Sequence, residues 1–227
     1  MELVEVQLGN RSYPIRIGYG FLGNFGEVYS EMGFPGSVAI VTNPTVADLY
    51  LQPIKESLES ADCKVRVLTM PDGEQYKTLE TAQDLYGGLI NSGVDRSSMI
   101  VALGGGVVGD TAGFVAATYL RGIDFVQVPT TLESQVDASV GGKTAVDHPL
   151  GKNMVGAFHQ PRMVYIDTET LMSLPRQEVA AGAAEVVKHG IIRDPNLVTF
   201  LEANLESLVA LELPPEELVW VVAQTAA

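Results

Sequence analysis

The chain has 227 residues, 46% of them hydrophobic and 19% charged, with a mean hydropathy of +0.17. That balance belongs to a folded globular chain and excludes a disordered one. Fourteen Lys and Arg against 28 Asp and Glu leave a formal charge of −14, which argues against nucleic-acid and anionic-membrane partners, since both require basic patches.

In chain order, Glu2 to Gly20 alternates apolar and polar residues around Gly9-Asn10 and predicts a β-hairpin. Ser37–Thr42 reads as an apolar strand and Pro44–Ser60 has helical spacing. Lys64–Met70 is a second strand, followed by a helix over Thr78–Ser92 with Thr78 as N-cap. Ser98–Leu103, Val107–Tyr119 and Phe125–Val128 continue the alternation as strand, helix and strand. This order predicts an α/β fold with a Rossmann-like parallel sheet, because parallel neighbours need crossover connections. Residues 130–162 are rich in Gly, Thr, Ser and Pro and read as a long loop, a length that is usually functional. Met163–Asp167 reads as a further strand. From Pro175 onward the pattern is helical, over Arg176–Ile192, Asn196–Leu211 and Pro215–Ala227. A domain boundary is expected near residue 175.

The single cysteine, Cys63, rules out an internal disulfide framework and fits a reducing, cytoplasmic setting. The start of the chain lacks a secretory pattern, and the longest apolar stretch, Met99–Leu120, is broken by glycines and Asp110. Positive charge is unevenly spread: half of it, seven of 14 Lys and Arg, lies in residues 121–193. Chance clustering and a docking place for an anionic ligand are both consistent with that.

Gly104-Gly105-Gly106-Val107-Val108-Gly109-Asp110 satisfies G-x-G-x-x-G between a strand and a helix. There the glycines permit a tight turn and let backbone N–H groups approach a diphosphate, although such turns also arise from packing alone. Asp72-Gly73-Glu74-Gln75-Tyr76-Lys77 follows a strand at the edge where α/β folds bind ligands. It reads equally as a ligand contact and as a solvated turn. Asp137, Lys143, Lys152 and Asn153 are set among glycines and hydroxyls, where lysine can meet a phosphate or carboxylate without bulky neighbours. Glu185 and Lys188 lie three apart among Ala, Val and Gly. They read as an i,i+3 ion pair or as charges held near a buried surface. Glu185 alone cannot hold zinc, which takes about three protein ligands in a catalytic site, and none of His148, His159 and His189 shows a recognised zinc spacing with it.

Taken together and in order, DGEQYK, GGGVVGDTAGFVAATYLRG, VPTTLESQVDASVGGKTAVDHPLGKNMVGAFHQP and AAGAAEVVKHGII resemble the 3-dehydroquinate synthase family of sugar-phosphate cyclases over essentially the whole chain. The resemblance implies an NAD-binding α/β domain over 1–175. It also implies the start of an α-helical metal and substrate domain over 176–227, with the active site between the two. The implied activity is conversion of 3-deoxy-arabino-heptulosonate 7-phosphate to 3-dehydroquinate and phosphate in the shikimate route. It proceeds by oxidation at C5, phosphate elimination, reduction, ring opening and an aldol closure. The implied cofactors are NAD and a divalent metal, zinc or cobalt; the implied assembly is a homodimer.

By the same resemblance, Asp72, Gly73, Glu74, Gln75, Tyr76 and Lys77 are NAD contacts. So are Gly105, Gly106, Val107, Val108, Gly109 and Asp110, with Thr130, Thr131, Thr170, Leu171, Met172 and Ser173. Lys143 and Lys152 stand near both cofactor and substrate. Asp137, Asn153 and Lys188 match substrate-pocket positions, as does Arg121, reaching toward a neighbouring subunit. Glu185 matches a metal ligand whose two histidine partners belong beyond residue 227. The chain is therefore expected to be a fragment that neither binds metal tightly nor turns over. Glu133, Ala138, Ala145 and Asp147 depart from the family's pattern. The rival readings are another cyclase, such as 2-deoxy-scyllo-inosose synthase, and a non-catalytic NAD-binding module.

Overall fold

A computed structural model describes residues 1–226. The first hairpin pairs β1 (Glu2–Val6) antiparallel with β2 (Tyr13–Gly18) across a turn at Gly9–Arg11. Helix α1 (Phe25–Glu31) leads to β3 (Ser37–Thr42). Helix α2 (Pro44–Val46) then runs through a π-helical stretch, Ala47–Leu51, into α3 (Gln52–Ser60). The Asn43 side chain accepts from the Val46 N–H and opens this run, and Pro44 suits its first turn. There follow β4 (Lys64–Thr69), α4 (Leu79–Asn91), β5 (Met99–Gly104), α5 (Gly106–Thr118) and β6 (Phe125–Pro129). Thr78 caps α4 through the Thr81 N–H, as its sequence predicts. Last come β7 (Lys143–His148), β8 (Gly151–Phe158), β9 (Val164–Asp167), α6 (Arg176–Arg193), α7 (Pro195–Ala210) and α8 (Pro215–Ala226).

Seven strands form one sheet in the order β1-β2-β9-β6-β5-β3-β4, parallel except for β1. Its central strands are buried on both faces, which explains their unbroken apolar sequence. Ile100 and Ala102 of β5 enter the core beneath α4 and α5, while Met99, Val101 and Leu103 enter the opposite core with Phe25, Ile54 and Leu58. A third core joins β2 and β9 to α6, α7 and α8 through residues such as Ile15, Ile166, Val186, Leu201 and Val222. Among the described residues no helix is long and apolar enough to cross a membrane.

Residues 130–162 are not a loop. A π-helical turn at Ser134–Ala138 is followed by the β7–β8 hairpin, a separate two-stranded sheet with a register irregularity between Val146 and His148. The hairpin packs across α5: a Cβ at Gly113 would lie 2.5 Å from Thr144 Cγ2. Its glycines hide the strand alternation. Gly156, for instance, is required by close approach, since a Cβ there would lie 2.4 Å from the Thr144 carbonyl oxygen.

Candidate active site

Strand β5 ends at Gly104, and Gly105 precedes α5 in extended conformation with no side-chain cap. The first N–H groups of α5 thus face outward beside the positive end of the helix dipole. Gly105 lacks a side chain for a reason: a Cβ would sit 2.8 Å from Thr131 Cγ2, so the segment after β6 closes directly over the glycine turn. The Thr130 N–H donates to the Gly104 carbonyl at 3.0 Å and ties the two strand ends together.

A cleft of about 1070 Å³ opens there, at the carboxyl ends of β3, β5 and β6, where open α/β sheets bind ligands. It is lined by Asp72, Gly73, Glu74 and Lys77 on one side and by Gly105, Gly106, Val107, Val108 and Asp110 on the floor. Thr130, Thr131, Asp137, Lys143, Asn153 and Ser173 complete the wall among the residues singled out from sequence. Others lie elsewhere. Gly109 is buried against Gln127. Thr170 and Leu171 are buried, Thr170 Oγ1 accepting from Gln135 Nε2 at 3.0 Å. Gln75, Tyr76 and Met172 are exposed outside the cleft lining. Arg121 follows the far end of α5 in a left-handed conformation, φ +69°, outside the cleft of its own chain.

Lys77 is 5% exposed. Its Nζ donates to Asp110 Oδ2 at 2.5 Å and to Asn153 Oδ1 at 2.6 Å, joining the 72–77 turn, α5 and the β7–β8 hairpin. Asn153 itself adopts φ +56°, held there by its N–H donating to Asp147 Oδ1 at 2.7 Å. Burial pushes the Asp110 carboxyl above its ordinary value, and Lys77 pulls it partly back.

Lys152 is largely exposed and donates to Glu74 Oε1 at 3.0 Å, which raises the ammonium above its ordinary value. Lys188 donates to the Glu185 carboxylate. Neither lysine lines the cleft, and neither member of the second pair is buried: side-chain exposure is 29% for Glu185 and 45% for Lys188. The Ala- and Gly-rich surroundings reflect instead how α6 meets the 131–138 turn. A Cβ at Gly182 would lie 2.6 Å from Leu132 Cβ and 2.7 Å from the Glu133 nitrogen. Gly182→Ala is therefore expected to cost about 1–3 kcal/mol by overpacking, read as an earlier urea midpoint with an unchanged slope.

Close packing of α6 brings Asp137, Glu185 and His189 together, with one donor atom from each within 4.8 Å of the others. His189 lies outside every site prediction made from sequence, although its i,i+4 relation to Glu185 puts both on one helical face. The approach of Asp137 has no local sequence signal. Glu133, at the cleft rim, is raised above its ordinary value, first by desolvation and then by Glu185, Asp137 and Glu178. Carboxylates crowd this end of the cleft. Tyr50, also missed from sequence, lines it and donates to the Thr170 carbonyl at 2.8 Å.

A family model described as 3-dehydroquinate synthase N-terminal matches residues 67–181, half of the chain and the whole span from the Lys77 turn to α6. The chain belongs to the 3-dehydroquinate synthase family. A family member, a 3-dehydroquinate synthase of Geobacter metallireducens, is 55% identical over 210 residues, covering 92% of this chain and 58% of that protein. The chain thus spans about 58% of the length of this curated relative. Among solved structures, 2-epi-5-epi-valiolone synthase from Streptomyces hygroscopicus subsp. jinggangensis, with NAD+ and Zn2+ bound, matches all of this chain and 61% of its own. It does so at 28% identity and a TM-score of 0.86. A 2-deoxy-scyllo-inosose synthase complexed with carbaglucose-6-phosphate, NAD+ and Co2+ matches 83% of this chain and 52% of its own, at 32% identity and a TM-score of 0.76.

Proposed function

We propose that this chain is the nucleotide-binding part of a 3-dehydroquinate synthase that takes 3-deoxy-arabino-heptulosonate 7-phosphate to 3-dehydroquinate and phosphate. One observation carries the reading: most of the residues lining the cleft at the glycine turn, Lys77, Lys143 and Asn153 among them, lie in the segment 67–181 that matches the family. NAD suits the floor, where the first N–H groups of α5 carry no side-chain cap and can meet a diphosphate. When bound, NAD supplies a reversible hydride acceptor and a divalent metal supplies a Lewis acid. Asp137, Glu185 and His189 are a donor set that suits such a metal. Lys143, Lys152 and Lys188 provide the positive charge that a phosphorylated carboxylate substrate needs. Asp137 and Asn153 face the same substrate, and Arg121 reaches toward a second copy in a cytoplasmic homodimer. In this reading residues 1–175 hold the nucleotide and 176–227 begin the helical metal and substrate domain.

The test is phosphate release from 3-deoxy-arabino-heptulosonate 7-phosphate with NAD and Zn2+. It is run on this chain and on the chain extended at its C-terminus to the length of its relatives. The extended chain is expected to release phosphate and the 227-residue chain not to. The shorter chain is expected to bind NAD only weakly, with Kd above about 10 μM by calorimetry. Turnover of glucose 6-phosphate instead would favour the 2-deoxy-scyllo-inosose reading.

A further inference from the structure

The β7–β8 hairpin departs from regular pairing at one place. Val146 pairs with Val155 and His148 with Gly151, so between these pairs β7 supplies one residue, Asp147, and β8 supplies three, Lys152, Asn153 and Met154. A bulge of this kind re-aims side chains and recurs beside active sites. In a regular strand, neighbouring side chains point to opposite faces. Here Asn153 takes φ +56°, a conformation that Asn tolerates better than most residues, and it and its neighbour reach the same segment. Lys152 Nζ donates to Glu74 Oε1 at 3.0 Å, and Asn153 Oδ1 accepts from Lys77 Nζ at 2.6 Å. Glu74, Lys77 and Asn153 all line the cleft.

Asp147 closes this bulge. Its Oδ1 accepts from the Asn153 N–H at 2.7 Å, and its own N–H donates to the Lys77 carbonyl at 2.7 Å. A parallel bridge between Asp147 and Thr78 continues the contact. One residue thereby fixes the Asn153 backbone against the segment that Lys152 and Asn153 address. The Lys77 ammonium alone does not achieve this, because a bond to the Asn153 side chain leaves φ free to relax. A left-handed residue persists when its surroundings over-determine it, and Asp147 supplies the backbone half of that hold. Asp147 lies outside the cleft lining, so it works through its neighbours across the bulge.

We propose that Asp147 is a positioning residue that holds the bulge and so presents Lys152 and Asn153 together at the cleft. The proposal rests on the cyclase reading for what those two residues serve. The hold itself is a property of the hairpin.

The test pairs amide hydrogen exchange on the 227-residue chain with turnover of the chain extended to the length of its relatives. In the parent, the Asn153 N–H should exchange slowly although the residue is exposed. Asp147→Ala should speed that exchange by about tenfold or more. Asp147→Glu keeps the charge but moves the acceptor by one methylene, and should do the same. Asp147→Asn keeps an acceptor oxygen in place and should stay within about threefold of the parent. In the extended chain, Asp147→Ala should lower kcat by about 10–100-fold through misplacement of its neighbours, and Asp147→Asn should restore most of it. Lys152→Ala should cost about tenfold less in the Asp147→Ala background than in the parent, because a lysine no longer aimed has less to lose. Thermal melts of each variant check that the fold is intact. Unchanged Asn153 exchange in Asp147→Ala and Asp147→Glu, a kcat as impaired in Asp147→Asn as in Asp147→Ala, or additive losses with Lys152→Ala would overturn the proposal. Exchange needs no turnover, which separates the two ideas. Faster exchange in the variants with no phosphate release by the extended parent sinks the cyclase reading and keeps the hold on Asn153, and release with unaltered exchange does the reverse.

Discussion

Lys77→Met is expected to cost the chain about 3–5 kcal/mol of folding stability, because it strands the Asp110 carboxylate in a buried position. The side chains of Lys77 and Asp110 are only 6% and 16% exposed, and the same ammonium also satisfies Asn153. For a domain of this size the loss corresponds to a fall in melting temperature of about 10 °C. The pH dependence follows from the direction of the Asp110 shift. Its carboxyl is raised in the folded state by burial, with Lys77 opposing. A raised carboxyl contributes most below its unfolded value, and that contribution is lost as pH rises through the folded one. Without Lys77 the carboxyl rises further, so the variant's deficit should widen between mildly acidic and neutral pH. A deficit that is flat across this range in urea titrations would mean that Asp110 is not the group left exposed to the penalty. Adding Asp110→Asn to Lys77→Met should recover part of the loss and flatten the profile.

Lys152→Ala should behave in the opposite way. Its ammonium is exposed and bound to an exposed partner, Glu74, and such pairs contribute little to stability. The melting temperature is therefore expected to stay within about 1 °C of the parent. In the chain extended to the length of its relatives, however, turnover should fall by about 10²–10³-fold, the usual loss when one preorganised charge is removed from a developing anion. Near-parental rates in that variant would remove Lys152 from the substrate site and leave it a surface residue of the hairpin. The two lysines thus separate stability from chemistry.

The sequence made some of this legible and hid the rest for definable reasons. Strand β5 and its glycine turn were readable because MIVALG is buried on both faces and so has no polar position to interrupt it. Thr78 could be read as a cap from its place before an amphipathic run. The β7–β8 hairpin was read as loop because Gly151 and Gly156, the latter needed for close approach, erase the two-residue alternation that marks a strand. Lys77 was read from sequence within a segment that could be a ligand contact or a solvated turn, and the partners the structure gives it stand 33 and 76 residues away. Local pattern carries no information about such a meeting.

What the sequence settled alone was the alternation of strands and helices outside residues 130–162, the parallel arrangement that alternation requires, and the glycine-rich entry to α5. Each is governed by short-range physics: burial period, capping, and backbone freedom within a few residues. Only the tertiary structure decided which charges share a space. Asp137 reaches Glu185 and His189, and Lys77 reaches Asp110 and Asn153, through the packing of α6 and the hairpin onto one end of the sheet. The positions of those elements are set by cores that draw residues from most of the chain, so no window of neighbouring residues encodes them.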